Sequence, residues 1–138
     1  MRGTWDRRRV IAVAVGGAAG AALRWAVVAS VDAGRFPWPV LALNVVGSVL
    51  LGLLLAEEDR RRSAHLVLHD AGGIGFCGGL TTFSTFSLEV VDLARDGNIG
   101  LAITYTVVSV LAAVLGIVAG AGALRRLRAV TIPLETEP

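Results

Sequence analysis

Four long apolar stretches constrain the fold of this chain more than any other feature. A helix rises 1.5 Å per residue, so about 20 apolar residues cross the ~30 Å hydrocarbon layer of a bilayer. Val10 to Val31 supplies 22 residues with one charge, Arg24; Pro39 to Ala56 supplies 18 with none; Ile99 to Leu124 supplies 26 with none. Ala71 to Ala94 is 24 residues long and less regular, carrying Gly72, Gly73, Gly75, Gly78 and Gly79, then a hydroxyl-rich run, then Glu89 and Asp92. In 138 residues these segments leave only short connections. The expectation is an all-α membrane protein, one four-helix unit over 1–138, with helices near 10–31, 39–56, 71–94 and 99–124, a broken third helix, and polar ends at 1–9 and 125–138.

Composition removes the alternatives. Charged residues make up 17% of the chain, against about 25% in soluble domains. The single Cys77 excludes an intramolecular disulfide and the four-ligand zinc patterns. A cleaved signal peptide does not suit the first segment, which exceeds the usual apolar core and is followed by three more. Gly34 and Pro37 break the first connection, Glu57-Glu58-Asp59-Arg60-Arg61-Arg62 opens the second, and Arg95-Asp96-Gly97-Asn98 reads as a tight turn. Thr131 to Pro138 reads as a disordered end.

All 13 basic residues are arginines, and their placement carries more than the net charge of +2. With four crossings, the N-terminus, the second connection and the C-terminus share one side of the membrane. That side holds ten arginines (Arg2, Arg7, Arg8, Arg9, Arg60, Arg61, Arg62, Arg125, Arg126 and Arg128), and the other holds Arg35 and Arg95. The positive-inside rule places both termini in the cytoplasm. The arginines fall into separated clumps, which argues against a nucleic-acid face.

Small residues at i, i+4 let membrane helices approach closely. Gly16 and Gly20, Ser48 and Gly52, and Gly116 and Gly120 have that spacing. Trp25, Trp38 and Phe36 lie near segment ends, as interface anchors do. The run Gly78-Gly79-Leu80-Thr81-Thr82-Phe83-Ser84-Thr85-Phe86-Ser87 is a poor continuous helix. A break there must be buried in protein or line a cavity, and freed carbonyls can bind a cation; a glycine kink in an ordinary helix is the plainer alternative. Asn44 is polar in the middle of the second segment, suited either to an interhelical hydrogen bond or to a ligand contact. Phe83 and Phe86, three apart, share a helix face among hydroxyls. Their electropositive ring edges suit a small anion.

These residues resemble the CrcB/Fluc family of fluoride channels, small four-helix membrane proteins that export fluoride from bacteria. The resemblance rests on Gly16-Gly17-Ala18-Ala19-Gly20 with Arg24, on Asn44-Val45-Val46-Gly47-Ser48, on Gly75-Phe76-Cys77-Gly78-Gly79-Leu80-Thr81-Thr82-Phe83-Ser84-Thr85-Phe86, and on Tyr105 and Ser109. It covers nearly the whole chain between the polar ends. It implies an antiparallel, dual-topology-type dimer with two narrow pores, in which Phe83 and Phe86 line the pathway with Asn44. The hydroxyls of Thr82, Ser84, Thr85, Tyr105 and Ser109 then form a polar track. The resemblance also implies a structural sodium ion at the dimer centre, held by backbone carbonyls at Gly78 and Thr81. Arg24 and Glu89 match recurrent family positions as vestibule or structural charges.

The physical logic is consistent with that function. Fluoride is small and tightly hydrated, so a selective pore must replace its water with closely spaced donors. No catalysis is needed, and the expectation is a plasma-membrane channel that is not an enzyme. The ten-to-two bias implies pairing with an oppositely oriented homologous subunit, a homodimer being the alternative. His65 and His69 lack a third ligand and read as loop residues. A proton-coupled exporter of cationic compounds is the competing reading, but it requires a membrane-embedded carboxylate, and the first segment carries only Arg24. A non-transporting DNA-associated protein would have to use the arginine clumps.

Overall fold

The computed structural model describes residues 6–56, 67 and 69–131. Glu57–Arg62, His65 and the end of the chain after Thr131 lie outside the described residues. Helix α1 spans Arg7–Ser30 and starts where the Asp6 side chain accepts the Arg8 N–H at 3.0 Å, a cap that satisfies one of the four free amides of a helix start. Gly34, at φ 58°, makes the turn that follows, with its N–H on the Asp32 carboxylate at 2.9 Å. Helix α2, Trp38–Leu55, carries Pro39 in its first turn, where no helical N–H is needed.

The third crossing is made of three pieces. Ala71–Cys77 (α3) is wound as a π-helix, Gly78–Leu80 (α4) is one α-turn, and Phe83–Arg95 (α5) is regular. Between α4 and α5 the backbone of Thr81 (φ −79°, ψ 155°) and Thr82 (φ −148°, ψ 125°) is extended. The interruption therefore falls at the two threonines, inside the run from Gly78 to Ser87 that reads as a poor helix in the sequence. A turn through Gly97 (φ 79°) leads into α6, Ile99–Thr131. Four spans, Arg7–Ser30, Trp38–Leu55, Ala71–Arg95 and Ile99–Ala129, are long and apolar enough to cross a membrane. The described residues contain no strand, and the protein is an all-α, multi-pass membrane protein.

Helix α6 runs past Leu124 through Arg125, Arg126 and Arg128 to Thr131. The tail expected to be polar thus begins as helix, because Leu, Arg and Ala are strong helix formers.

α1 packs along α3 and α4, whereas α6 packs along α2 and α5. Glycine contacts, those of Gly16, Gly20, Gly52 and Gly75 among them, set these distances. A Cβ on Gly79 would overlap the Gly17 carbonyl of α1, and one on Gly120 of α6 would overlap the Val49 carbonyl of α2. Side chains are excluded there so that backbones touch, the way helices associate without a hydrophobic drive. The buried interior is small, with Val40, Leu80 and Tyr105 its fully covered side chains. Large apolar residues such as Ile11, Val15, Leu115 and Val118 face outward, which suits a lipid environment as apolar as they are.

Candidate functional site: a groove at the helix break

The break is held by two side chains from neighbouring helices. Asn44 accepts the Thr82 N–H on Oδ1 at 2.8 Å and donates Nδ2–H to the Thr82 carbonyl at 3.1 Å. Arg24, from α1, donates from Nη1 to the Thr81 carbonyl at 2.9 Å. The extended backbone that leaves α4 unable to continue is thus paired on both residues, as apolar surroundings require. Of the two uses open to Asn44 in the sequence, the interhelical bond is realised. Its second Nδ2–H remains beyond this pairing.

The N-terminus of α5 is capped from within. The Thr82 hydroxyl accepts the Thr85 N–H at 3.1 Å, donates to Thr85 Oγ1 at 3.1 Å and lies 3.3 Å from Ser84 Oγ. The three hydroxyls are therefore first a helix cap. Thr81 Oγ1 turns back to the Cys77 carbonyl at 2.9 Å.

A groove of about 470 Å³ runs beside the break, open on one side. Asn44, Ser48, Gly78, Thr81, Thr82, Phe83, Phe86 and Ser109 are among its walls, which are otherwise apolar. Phe83 is 80% exposed at its edge. Ser109, 6% exposed, has a buried hydroxyl without a hydrogen-bond partner. An unpaired buried hydroxyl costs free energy, and this one stands in the wall of the groove.

Aromatic rings extend from the groove in a chain. Phe83 and Phe86 have centroids 5.7 Å apart, Phe86 and Tyr105 5.2 Å, and Phe36 meets Tyr105 edge-on at 5.4 Å. Tyr105 is fully buried, and its hydroxyl donates to Glu89 Oε2 at 2.6 Å. The structure thus gathers Asn44, Gly78, Thr81, Thr82, Phe83, Phe86 and Ser109 on one groove. Ser84, Thr85, Tyr105, Arg24 and Glu89 lie outside its walls, engaged with the cap, the break or each other. Phe36 was missed as a site residue: it lies in the connection before α2, where helical periodicity offers no signal, and it stacks on Tyr105 as well as on Trp38 at 4.4 Å. Trp25 and Trp38 are 74% and 62% exposed, as interface anchors are.

At the other end of the third crossing, Arg9 of α1 bonds Asp70 through Nε and Oδ2. That hydrogen bond holds the Asp70 carboxyl below its usual range, against the opposing effect of burial. His69 Nε2 lies 3.0 Å from the Leu54 carbonyl at the end of α2. His69 is therefore a helix-end contact. No group of three His, Cys, Asp or Glu that could hold a metal occurs among the described residues.

Four crossings, an interrupted third helix and a groove beside the interruption define a multi-pass membrane protein with one candidate site at the break. The model of the CrcB-like protein family, described as Camphor Resistance (CrcB), matches residues 11–121. The chain belongs to the CrcB family. It is 38% identical over 125 residues to fluoride-specific ion channel FluC 1 of Mycobacterium bovis, covering 89% of this chain and 95% of that one. It is 45% identical over 121 residues to fluoride-specific ion channel FluC of Novosphingobium aromaticivorans (82% and 93% covered), and 40% identical over 121 residues to the FluC of Geobacter sulfurreducens (86% and 98% covered).

Proposed function

We propose that the chain is one subunit of a fluoride-selective channel that lets fluoride leave the cytoplasm passively and so relieves its toxicity. The names of its relatives support the substrate. The observation that carries the reading is the meeting of Asn44, Phe83, Phe86 and Ser109 on one groove. Ring edges carry partial positive charge, a hydroxyl donates one hydrogen bond, and the second Nδ2–H of Asn44 adds another. Together they offer a dehydrated fluoride a set of weak, closely spaced donors. The step is conduction, without covalent chemistry.

One chain supplies one wall. The groove is open on one side and Phe83 is largely exposed, which suits coverage by a second subunit of opposite orientation. The ten-to-two arginine bias favours cytoplasmic termini in the plasma membrane and an oppositely oriented homologous partner over a homodimer.

A sodium ion at the dimer centre is consistent with the break. The Thr82 N–H, which would cap the Gly78 carbonyl in a continuous helix, goes instead to Asn44, and the Thr81 carbonyl keeps a lone pair beyond its bond from Arg24. Unwound carbonyls are the hard oxygen donors that sodium takes in membrane proteins. Gly78 and Thr81 would hold the ion, which would supply positive charge joining two breaks.

Fluoride efflux from liposomes holding the chain, alone and with a related subunit from the same organism, tests the function. Fluoride flux with chloride excluded is expected; equal passage of both anions defeats the selective pore.

A further inference from the structure

Contacts between helices bring two arginine clusters, far apart in sequence, to one level of the bundle. Arg9 bonds Asp70 at the start of α3, and His69 beside it meets the Leu54 carbonyl at the end of α2. Gly120 of α6 packs on Val49 and Leu53 of that same α2 end. The ends of α1, α2 and α6 therefore share one layer, and Arg125, Arg126 and Arg128 follow within about two helical turns of Gly120. Six arginines, Arg7, Arg8, Arg9, Arg125, Arg126 and Arg128, stand there against two described carboxylates, Asp6 and Asp70. Arg9 already engages Asp70; Arg7, Arg8, Arg125 and Arg126 are exposed.

The length of α6 fixes the depth of this layer. Its 33 residues extend about 50 Å at 1.5 Å per residue, well beyond the ~30 Å hydrocarbon layer. The last turns from Leu124 onward therefore run at the headgroup level. There Leu124 and Leu127 lie three apart on one face, and Leu127 is 65% exposed, while Arg125 and Arg128 lie on the adjoining face. Leucine beside arginine at that depth is the pattern of an interfacial helix, its apolar side reaching the acyl boundary and its guanidinium groups the phosphates. A free anion would not select the leucines.

We propose that the first turn of α1 and the last turns of α6 form a binding surface for anionic phospholipid headgroups in one leaflet. The surface lies apart from the groove and does not depend on what the groove conducts.

Native mass spectrometry of the purified full chain in detergent, with phosphatidylglycerol or phosphatidylcholine added, tests it. Retention of phosphatidylglycerol over phosphatidylcholine is expected. R125Q/R126Q/R128Q should weaken phosphatidylglycerol binding roughly tenfold or more, while R35Q/R95Q at the opposite end should leave it unchanged. Should the triple variant fail to fold, the wild-type complex is titrated with salt, and 0.5 M NaCl should release the lipid. Equal retention of the two lipids, loss on R35Q/R95Q, or salt-insensitive binding overturns the proposal. Full competition by inorganic phosphate at the same concentration also overturns it, because it would mark a general anion site.

Discussion

Asn44 of α2 clasps the main chain of Thr82 with both ends of its carboxamide, receiving the N–H at 2.8 Å and donating to the carbonyl at 3.1 Å. Both halves of one peptide residue are paired by a single side chain at the point where the third crossing stops being helical. Asn44→Ala leaves that donor and acceptor unpaired inside the bundle, at about 1–3 kcal/mol each. Thermal unfolding in detergent should show a loss of about 2–6 kcal/mol; an unchanged midpoint would mean the clasp is not what holds the break.

Phe83 and Phe86 separate function from stability. Phe83 is 80% exposed on the single chain, so Phe83→Ile should change its stability by no more than about 0.5 kcal/mol. Phe86 touches Tyr105 at 5.2 Å between centroids, and Phe86→Ile should cost about 1 kcal/mol. Both should reduce fluoride flux in liposomes. Unchanged rates would remove the rings from the pathway.

Ser109→Ala deletes a buried hydroxyl that has no partner. The fold should be unaffected or gain about 1 kcal/mol, while flux falls. A variant that loses stability would show that the hydroxyl has a partner in the resting protein.

Gly79 and Gly122 form a contrasting pair. A Cβ at Gly79 would overlap the Gly17 carbonyl, whereas Gly122 has open space around it. Gly79→Ala should destabilise by about 1–3 kcal/mol or more, and Gly122→Ala should gain up to about 1 kcal/mol through helix propensity. Denaturation midpoints of the two variants, compared with wild type, check the sign of each.

The Arg9–Asp70 pair makes a pH prediction. Arg9, and His69 less strongly, keep the folded Asp70 carboxyl below its ordinary value of 3.8. A depressed carboxylate contributes stability that is present above the unfolded value and lost as pH falls through the folded one. Asp70→Asn should therefore lower the unfolding midpoint at neutral pH, and the gap to wild type should close only below about pH 4. Equal midpoints at neutral pH would show that the Arg9–Asp70 pair contributes nothing to stability.

How much of this was legible in the chain follows from how each feature is encoded. Segment length against bilayer thickness is a local property, so four crossings, the anchoring of Trp25 and Trp38 and an irregular third segment could be read directly. The arginine distribution and the motif around Phe83 and Phe86 are local too. The run from Gly78 to Ser87 could be marked as a poor helix, but not the residues within it where the helix stops: Gly79 is needed for contact with α1, and the chain breaks at Thr81-Thr82 because Arg24 and Asn44 supply partners there. Which polar atoms stay free depended likewise on distant residues. Asn44 is largely committed to Thr82 and Tyr105 to Glu89, while Ser109 is left unpaired. The chain by itself determined a four-span bundle with a polar third helix, because transfer into lipid acts on each segment separately. The tertiary structure alone decided which of its donors face a groove, because hydrogen bonds between helices depend on how closely their backbones pack.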